Sequence, residues 1–164
     1  MSYKECVELD DIDVKILSIL QNDTTLSIQD IADKVGLTSN PCWRRIKRLE
    51  NQDVITKRVA VIDPSKVGLG MTAFVRIHTD KHTKDWLNLF KLGVTKIPEI
   101  IECHRMTGDV DYLLKILVQD LEHYDDVYRR LLDLVPDIKD VSTSFSMERM
   151  KEGNVIDMAT LKRR

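Results

Sequence analysis

Residues 102–115, ECHRMTGDVDYLLK, gather a thiol (Cys103), an imidazole (His104) and two carboxylates (Asp109, Asp111) around one glycine. A thiol beside an imidazole could supply a nucleophile and its base. Paired carboxylates could do general acid–base work, and Cys, His and Asp together could ligate zinc. Spacing argues against all three. If "IIECHRM" is a strand, Cys103 and His104 point to opposite faces of its sheet and cannot pair. His78, His82 and His123 stand at no near-neighbour spacing that would complete a metal site, and no Ser, Lys or His partner is set for the acids. The expectation is no catalytic residue, no metal, no cofactor, and no enzyme. Two readings of the turn remain open. Either "TGDVD" is only a hairpin turn with Gly108 chosen for its backbone freedom, or its acids and backbone N–H groups hold the ammonium and carboxylate of an amino acid.

The elements that must position this stretch follow from periodicity. "MTAFVRIHT" alternates as a strand, and residues 84–97 place Trp86, Leu89, Phe90, Val94 and Ile97 on one helical face. "IIECHRM" and "YLLKILV" read as strands joined by the turn. Residues 121–135 are helical through Tyr124, Val127, Tyr128, Leu131, Leu132 and Val135, and "DVSTSFSM" is a last strand. An echo, "IPEI" at 97–100 and "VPDI" at 135–138, ends each helix and opens the next strand. The order βαββαβ predicts a ferredoxin-like domain over residues 71–150, helices on one face of an antiparallel sheet. A second copy of the chain is the simplest cover for the other face.

Upstream, "PSKVGLG" (64–70) has the proline and glycines of a hinge, and residues 1–63 read as three helices and a strand. "DDIDVKILSILQ" puts Ile12, Ile16 and Leu20 on one stripe. "SIQDIADKVGL" carries Ser27 as N-cap, Asp30 three residues on, and Gly36 as its end. "TSNPCWRRIKRLENQ" is a third helix capped by Thr38 or Asn40, with Pro41 in its first turn. In "VITKRVAVID", Ile55, Val59 and Val61 alternate inward as in a half-buried strand. Together these predict a winged helix-turn-helix, making the fold class α+β. Residues 151–164 are a tail whose basic end suits a solvated terminus or an oligomer contact.

The third helix is the candidate reader. Cys42, Ile46 and Leu49 fall on its buried arc, Cys42 as a small hydrophobe. Asn40, Arg44 and Lys47, at i, i+4 and i+7, line the opposite face with Arg48. Arg or Lys can bond guanine, and Asn adenine, in a major groove. Lys57 and Arg58 suit phosphates, while Trp43 and Arg45 sit on the flanks. The formal net charge of −2 argues against nucleic acid only on average. Residues 43–58 hold 6 Lys/Arg against 2 Asp/Glu, a local +4.

At 164 residues, 43% hydrophobic and 32% charged, the chain suits one domain or two small ones of a soluble protein. No apolar run is long enough to span a bilayer, and the acidic N-terminus does not read as a secretory signal, so the cytoplasm is expected. The three cysteines are widely spaced, without CxxC, and indicate neither a disulfide framework nor a zinc ribbon.

"LDDIDVKILSILQND", "IADKVGLTSNPCWRRIKRLE", "VITKRVAVIDPSKVGL" and "IIECHRMTGDVDYLLKI" together resemble the Lrp/AsnC family of transcription factors over residues 9–150. The resemblance implies a winged helix-turn-helix and a ligand-sensing (RAM) domain. It implies dimers joined through the C-terminal sheets, further assembly into tetramers, octamers or discs, and amino-acid effectors bound between dimers near the Gly-Asp turn. Carried over residue by residue, it implicates Met106, Thr107, Gly108, Asp109 and Asp111, with Leu121 and Ser146 from neighbouring elements. "TSNPCWRRIKRLE", "VIDPSKVGLGMTAF" and "DVSTSFSMERMK" look like the cysteine-responsive, DecR-like subgroup, which would make L-cysteine the effector. The expected partners are double-stranded operator DNA, further copies of the chain and an amino acid, with no membrane. The alternative is an architectural DNA-binding protein without a physiological effector.

Overall fold

The computed structural model describes residues 6–151, 153 and 155–160. The first five residues and the basic end of the tail, 161–164, lie outside them. The described chain divides into two compact units.

The first unit is helical: α1 (Asp11–Asn22), α2 (Ile28–Val35) and α3 (Ser39–Asn51). Local chemistry sets each end. Asp10 caps α1 in a capping box with Asp13, and Ser27 does the same for α2 with Asp30. Gly36 closes α2 at φ 73°, a left-handed cap that a side chain would strain. Thr38 is the residue at the α3 N-cap, though its side chain makes no capping bond. Ile16, Leu17, Leu20, Ile31, Ala32, Val35, Cys42, Ile46 and Leu49 form the core. The segment beginning at Lys151 belongs to this unit, and Met158 packs partly against its core.

The strand expected around Ile55–Val61 is not formed among the described residues: 56–63 are irregular, with Val59 58% and Val61 71% exposed. Alternation describes which way side chains would point. A strand also needs a partner for its backbone groups, and this segment has none among the described residues.

The second unit, Val61–Met150, is a four-stranded antiparallel sheet, order β2-β3-β1-β4, with two helices. The elements are β1 (Met71–His78), α4 (Lys84–Thr95), β2 (Ile100–Arg105), β3 (Tyr112–Val118), α5 (Leu121–Leu134) and β4 (Asp140–Phe145), the expected ferredoxin-like order. The stretch expected to be a hinge contains a 3-10 turn, Pro64–Val67, capped by Asp63. Ala73, Val75, Ile77, Tyr112, Leu114, Ile116 and Val118 meet Trp86, Phe90, Val94, Val127 and Leu131 in one core. Two residues expected on apolar helix faces are exposed, Leu89 at 49% and Leu132 at 41%. Each sits at the margin of a stripe wider than the face the sheet covers. Gly93 lies where α4 passes the end of α5, and a β-carbon there would stand 2.7 Å from Val135 Cγ2.

Candidate nucleic-acid interface and effector turn

Helix α3 stands on its core through Cys42, Ile46 and Leu49, as its periodicity requires. Burial pushes the Cys42 thiol pKa up, away from the thiolate. The outward face is less uniformly available than the sequence suggests. Arg45 donates to Asp10 at 2.6 Å and to Asp13 at 2.9 Å, and Arg48 also donates to Asp13. Lys47 pairs with Glu50 at 2.6 Å, and Glu50 with Arg58 at 2.9 Å. Lys47, and Arg58 with it, hold the Glu50 carboxyl below its usual range. The side chains of Asn40, Arg44 and Lys57 are exposed and bond to no other described residue. Trp43 is 48% exposed. A groove beside the helix is lined by Asp10, Pro41, Arg44, Arg45 and Arg48.

Sequence reasoning missed Asp13. Its side chain is 1% exposed, and residues 13, 16, 17 and 20 are the buried stripe of α1. An acid at i of an i, i+3, i+4, i+7 apolar pattern was the available signal, since a buried carboxylate needs a cation. With Asp10 and Asp13 included, the six cations of residues 43–58 face four acids instead of two.

The Gly108 turn is a hairpin closed by the Met106 N–H donating to the Asp111 carbonyl at 2.8 Å. Gly108 takes φ 99°, a backbone that favours glycine. Asp111 is engaged through one oxygen: its Oδ2 accepts the Thr79 N–H at 2.9 Å, fastening the turn to the end of β1. Thr107 and Asp109 are exposed, and Met106 is 41% exposed. Leu121 and Ser146 lie elsewhere. Leu121 opens α5 just after β3 ends at Val118, while the turn precedes the start of β3 at Tyr112. The Ser146 N–H donates to Thr72 O, near the Met71–Val118 pairing and so at the same end as Leu121. The length of β3, about 20 Å at ~3.4 Å per residue, separates these two from the turn. Within one chain the seven residues fall into two separate groups.

On β2, Cys103 pairs with Leu114 on the helix-facing side, while His104 meets Glu102 on the other. The thiol and imidazole are thus held apart. Among the described residues no three His, Cys, Asp or Glu side chains gather as metal ligands would, and no helix is long and apolar enough to cross a membrane.

Comparison with known proteins agrees with this architecture. Residues 9–56 match the winged helix-turn-helix DNA-binding model, and residues 72–156 the Lrp/AsnC ligand-binding domain. The DNA-binding transcriptional activator DecR of Escherichia coli is 48% identical over 87% of this chain and 94% of its own. An AsnC family transcriptional regulator from Agrobacterium tumefaciens superposes with a TM-score of 0.88 at 46% identity, covering 92% of this chain and 98% of that one. A transcriptional regulator from Neisseria meningitidis, solved with L-Met, superposes at 0.85 with 31% identity, covering 91% and 96%. The chain belongs to the Lrp/AsnC family: it is a DNA-binding transcriptional regulator with a ligand-binding domain, and not an enzyme.

Proposed function

We propose that this regulator reads a specific DNA sequence through α3 and answers to an amino acid bound near the Gly108–Asp109 turn. The observation that carries the first part is Arg44. It stands on a helix fixed by three buried side chains, exposed, with its guanidinium bonded to no described residue. Asn40 lies one turn before it, and Lys57 offers a phosphate contact beyond the helix. Two copies of the chain, joined through the sheet faces that α4 and α5 leave open, would bring two α3 helices to adjacent major grooves. The test is binding of Arg44→Ala to a selected operator and to random duplex. A base contact costs about 1–3 kcal/mol on the operator and less on random DNA; an equal loss on both would make Arg44 a phosphate contact.

The second part is supported by the L-Met complex of the Neisseria regulator and by the exposed Asp109 beside turn N–H groups. With Asp111 engaged by Thr79, Asp109 is the freer partner for an ammonium. A complete site uses the turn of one copy with Leu121 and Ser146 of another, which ties the effector to assembly. L-cysteine is the first candidate, on the resemblance of residues 38–50, 61–74 and 140–151 to the cysteine-responsive subgroup. A thermal-shift screen of the amino acids, cysteine kept reduced, tests this. An effector at 100 times its Kd adds about 2.7 kcal/mol. No shift with any amino acid would favour the architectural reading.

A further inference from the structure

We propose that Asp13, assisted by Asp10, sets how selective this regulator is by withholding Arg45 and Arg48 from DNA phosphates. The inference rests on the reading that α3 faces the DNA. Asp13 is enclosed, its side chain 1% exposed, and both its oxygens are filled. Oδ1 accepts from Arg45 at 2.9 Å, and Oδ2 accepts from Arg48 and from the Asp10 N–H at 3.2 Å. Water cannot replace those cations, and the poorly polarisable surroundings strengthen their attraction. A phosphate arriving from solvent carries a screened charge and must compete with this buried one. Asp10 adds a second, exposed acid on Arg45 at 2.6 Å.

Burial is not what restrains the two arginines. Their side chains remain 29% and 44% exposed, and they line the same groove as Arg44. They stand where a DNA backbone would pass, yet their charge is largely spent on α1. The helix therefore meets DNA with Arg44 and Asn40 free and with little sequence-independent attraction to spare. This is the balance a selective reader needs, because phosphate contacts raise affinity for every sequence alike.

The experiment uses the full chain and a random-sequence duplex across a salt series. Each phosphate contact adds about 0.9 to the salt slope, which widens the affinity ratio between 50 and 200 mM salt by about threefold. Asp13→Asn is expected to steepen the slope by about one to two, to bind random DNA more tightly at low salt, and to lower operator selectivity. An unchanged or shallower slope in folded Asp13→Asn would overturn the proposal, since the acids would then be structural or would aim the arginines at DNA. A measurement on the unaltered protein covers the case in which that variant does not fold. Arginine side-chain NMR signals followed during addition of random duplex should move for Arg44 and stay fixed for Arg45 and Arg48. Movement of all three sinks the inference. If Arg44 also stays fixed, the reading of α3 as the DNA face is what has failed.

Discussion

Helix α3 and the Gly108 turn, the two surfaces proposed to meet a partner, are built in opposite ways. The helix rests on its own core, and its free and tethered charges are all settled within one chain. The turn is settled only in its backbone, through Met106, Asp111 and Thr79, and the residues expected to complete its site stand at the far end of the sheet. A reading surface finished in the monomer can meet DNA in any assembly state. On the proposed reading, a site split across the sheet would be complete only where copies meet, which would link its occupancy to assembly.

The strongest way to break this comparison is to damage one core and watch the other. Phe90 is 1% exposed and packs against Trp86 and Tyr112, ring centroids 5.2 and 4.2 Å away. Phe90→Ala should cost the sensor unit about 3–5 kcal/mol. Hydrogen exchange should quicken across β1–β4 while the amides of α1–α3 keep their protection. Loss of protection in α1–α3 would mean the two cores are not separate. Gly93→Ala is a milder version. Alanine favours a helix over glycine by about 1 kcal/mol, but the added carbon would meet the buried Val135 at 2.7 Å and the Leu134 carbonyl at 3.2 Å. Overpacking of about 1–3 kcal/mol should outweigh that gain and lower the urea midpoint; a raised midpoint would show that α4 and α5 can part.

The same contrast explains what could be read from sequence. Ser27, Asp30 and Gly36 bound α2 because caps act within a few residues of the chain. The βαββαβ order was legible because strand and helix periods differ sharply. Contacts across elements were not. Asp13 stands in register with the apolar stripe of α1, which marks it as buried, but only when α3 folds against it are the two arginines that meet it decided. Val59 and Val61 alternate as a strand would, but pairing depends on a neighbour that local pattern cannot supply. The separation of Leu121 and Ser146 from the Gly108 turn needed the strand register.

Acid should affect both units, through carboxyls held below their ordinary range. In the helical unit these include Asp10, through the Asp13 N–H and Arg45, and Glu50, through Lys47 and Arg58. In the sensor unit burial raises the Glu99 pKa, but Arg130, its own N–H and His123 together bring it below the ordinary value, and Lys115 does the same for Glu102. A depressed carboxyl stabilises the fold above its unfolded pKa, 3.8 for Asp and 4.5 for Glu. That stability is lost as pH falls through the folded value. The melting midpoint should therefore fall below about pH 4.5, and Glu99→Gln should flatten that limb for the sensor unit alone. A midpoint unchanged down to pH 3 in the unaltered protein would remove these pairs from the stability account.

The smallest effect sharpens the comparison most, because it concerns the one segment that leaves the sensor and returns to the reader. After β4 the chain rejoins the helical unit. There Gln21 exchanges two hydrogen bonds with the Ile156 backbone, donating from Nε2 to its carbonyl at 3.2 Å and accepting its N–H at 2.7 Å. Both bonds are exposed, so Gln21→Ala should cost no more than about 1 kcal/mol, and Met158→Ala, half-buried against the core, about the same. Hydrogen exchange at α1 should rise modestly in either variant while α2 stays protected. Should α1 be indifferent, the returning segment is a passive end. Should it respond, the returning segment is part of what holds α1 in the helical unit.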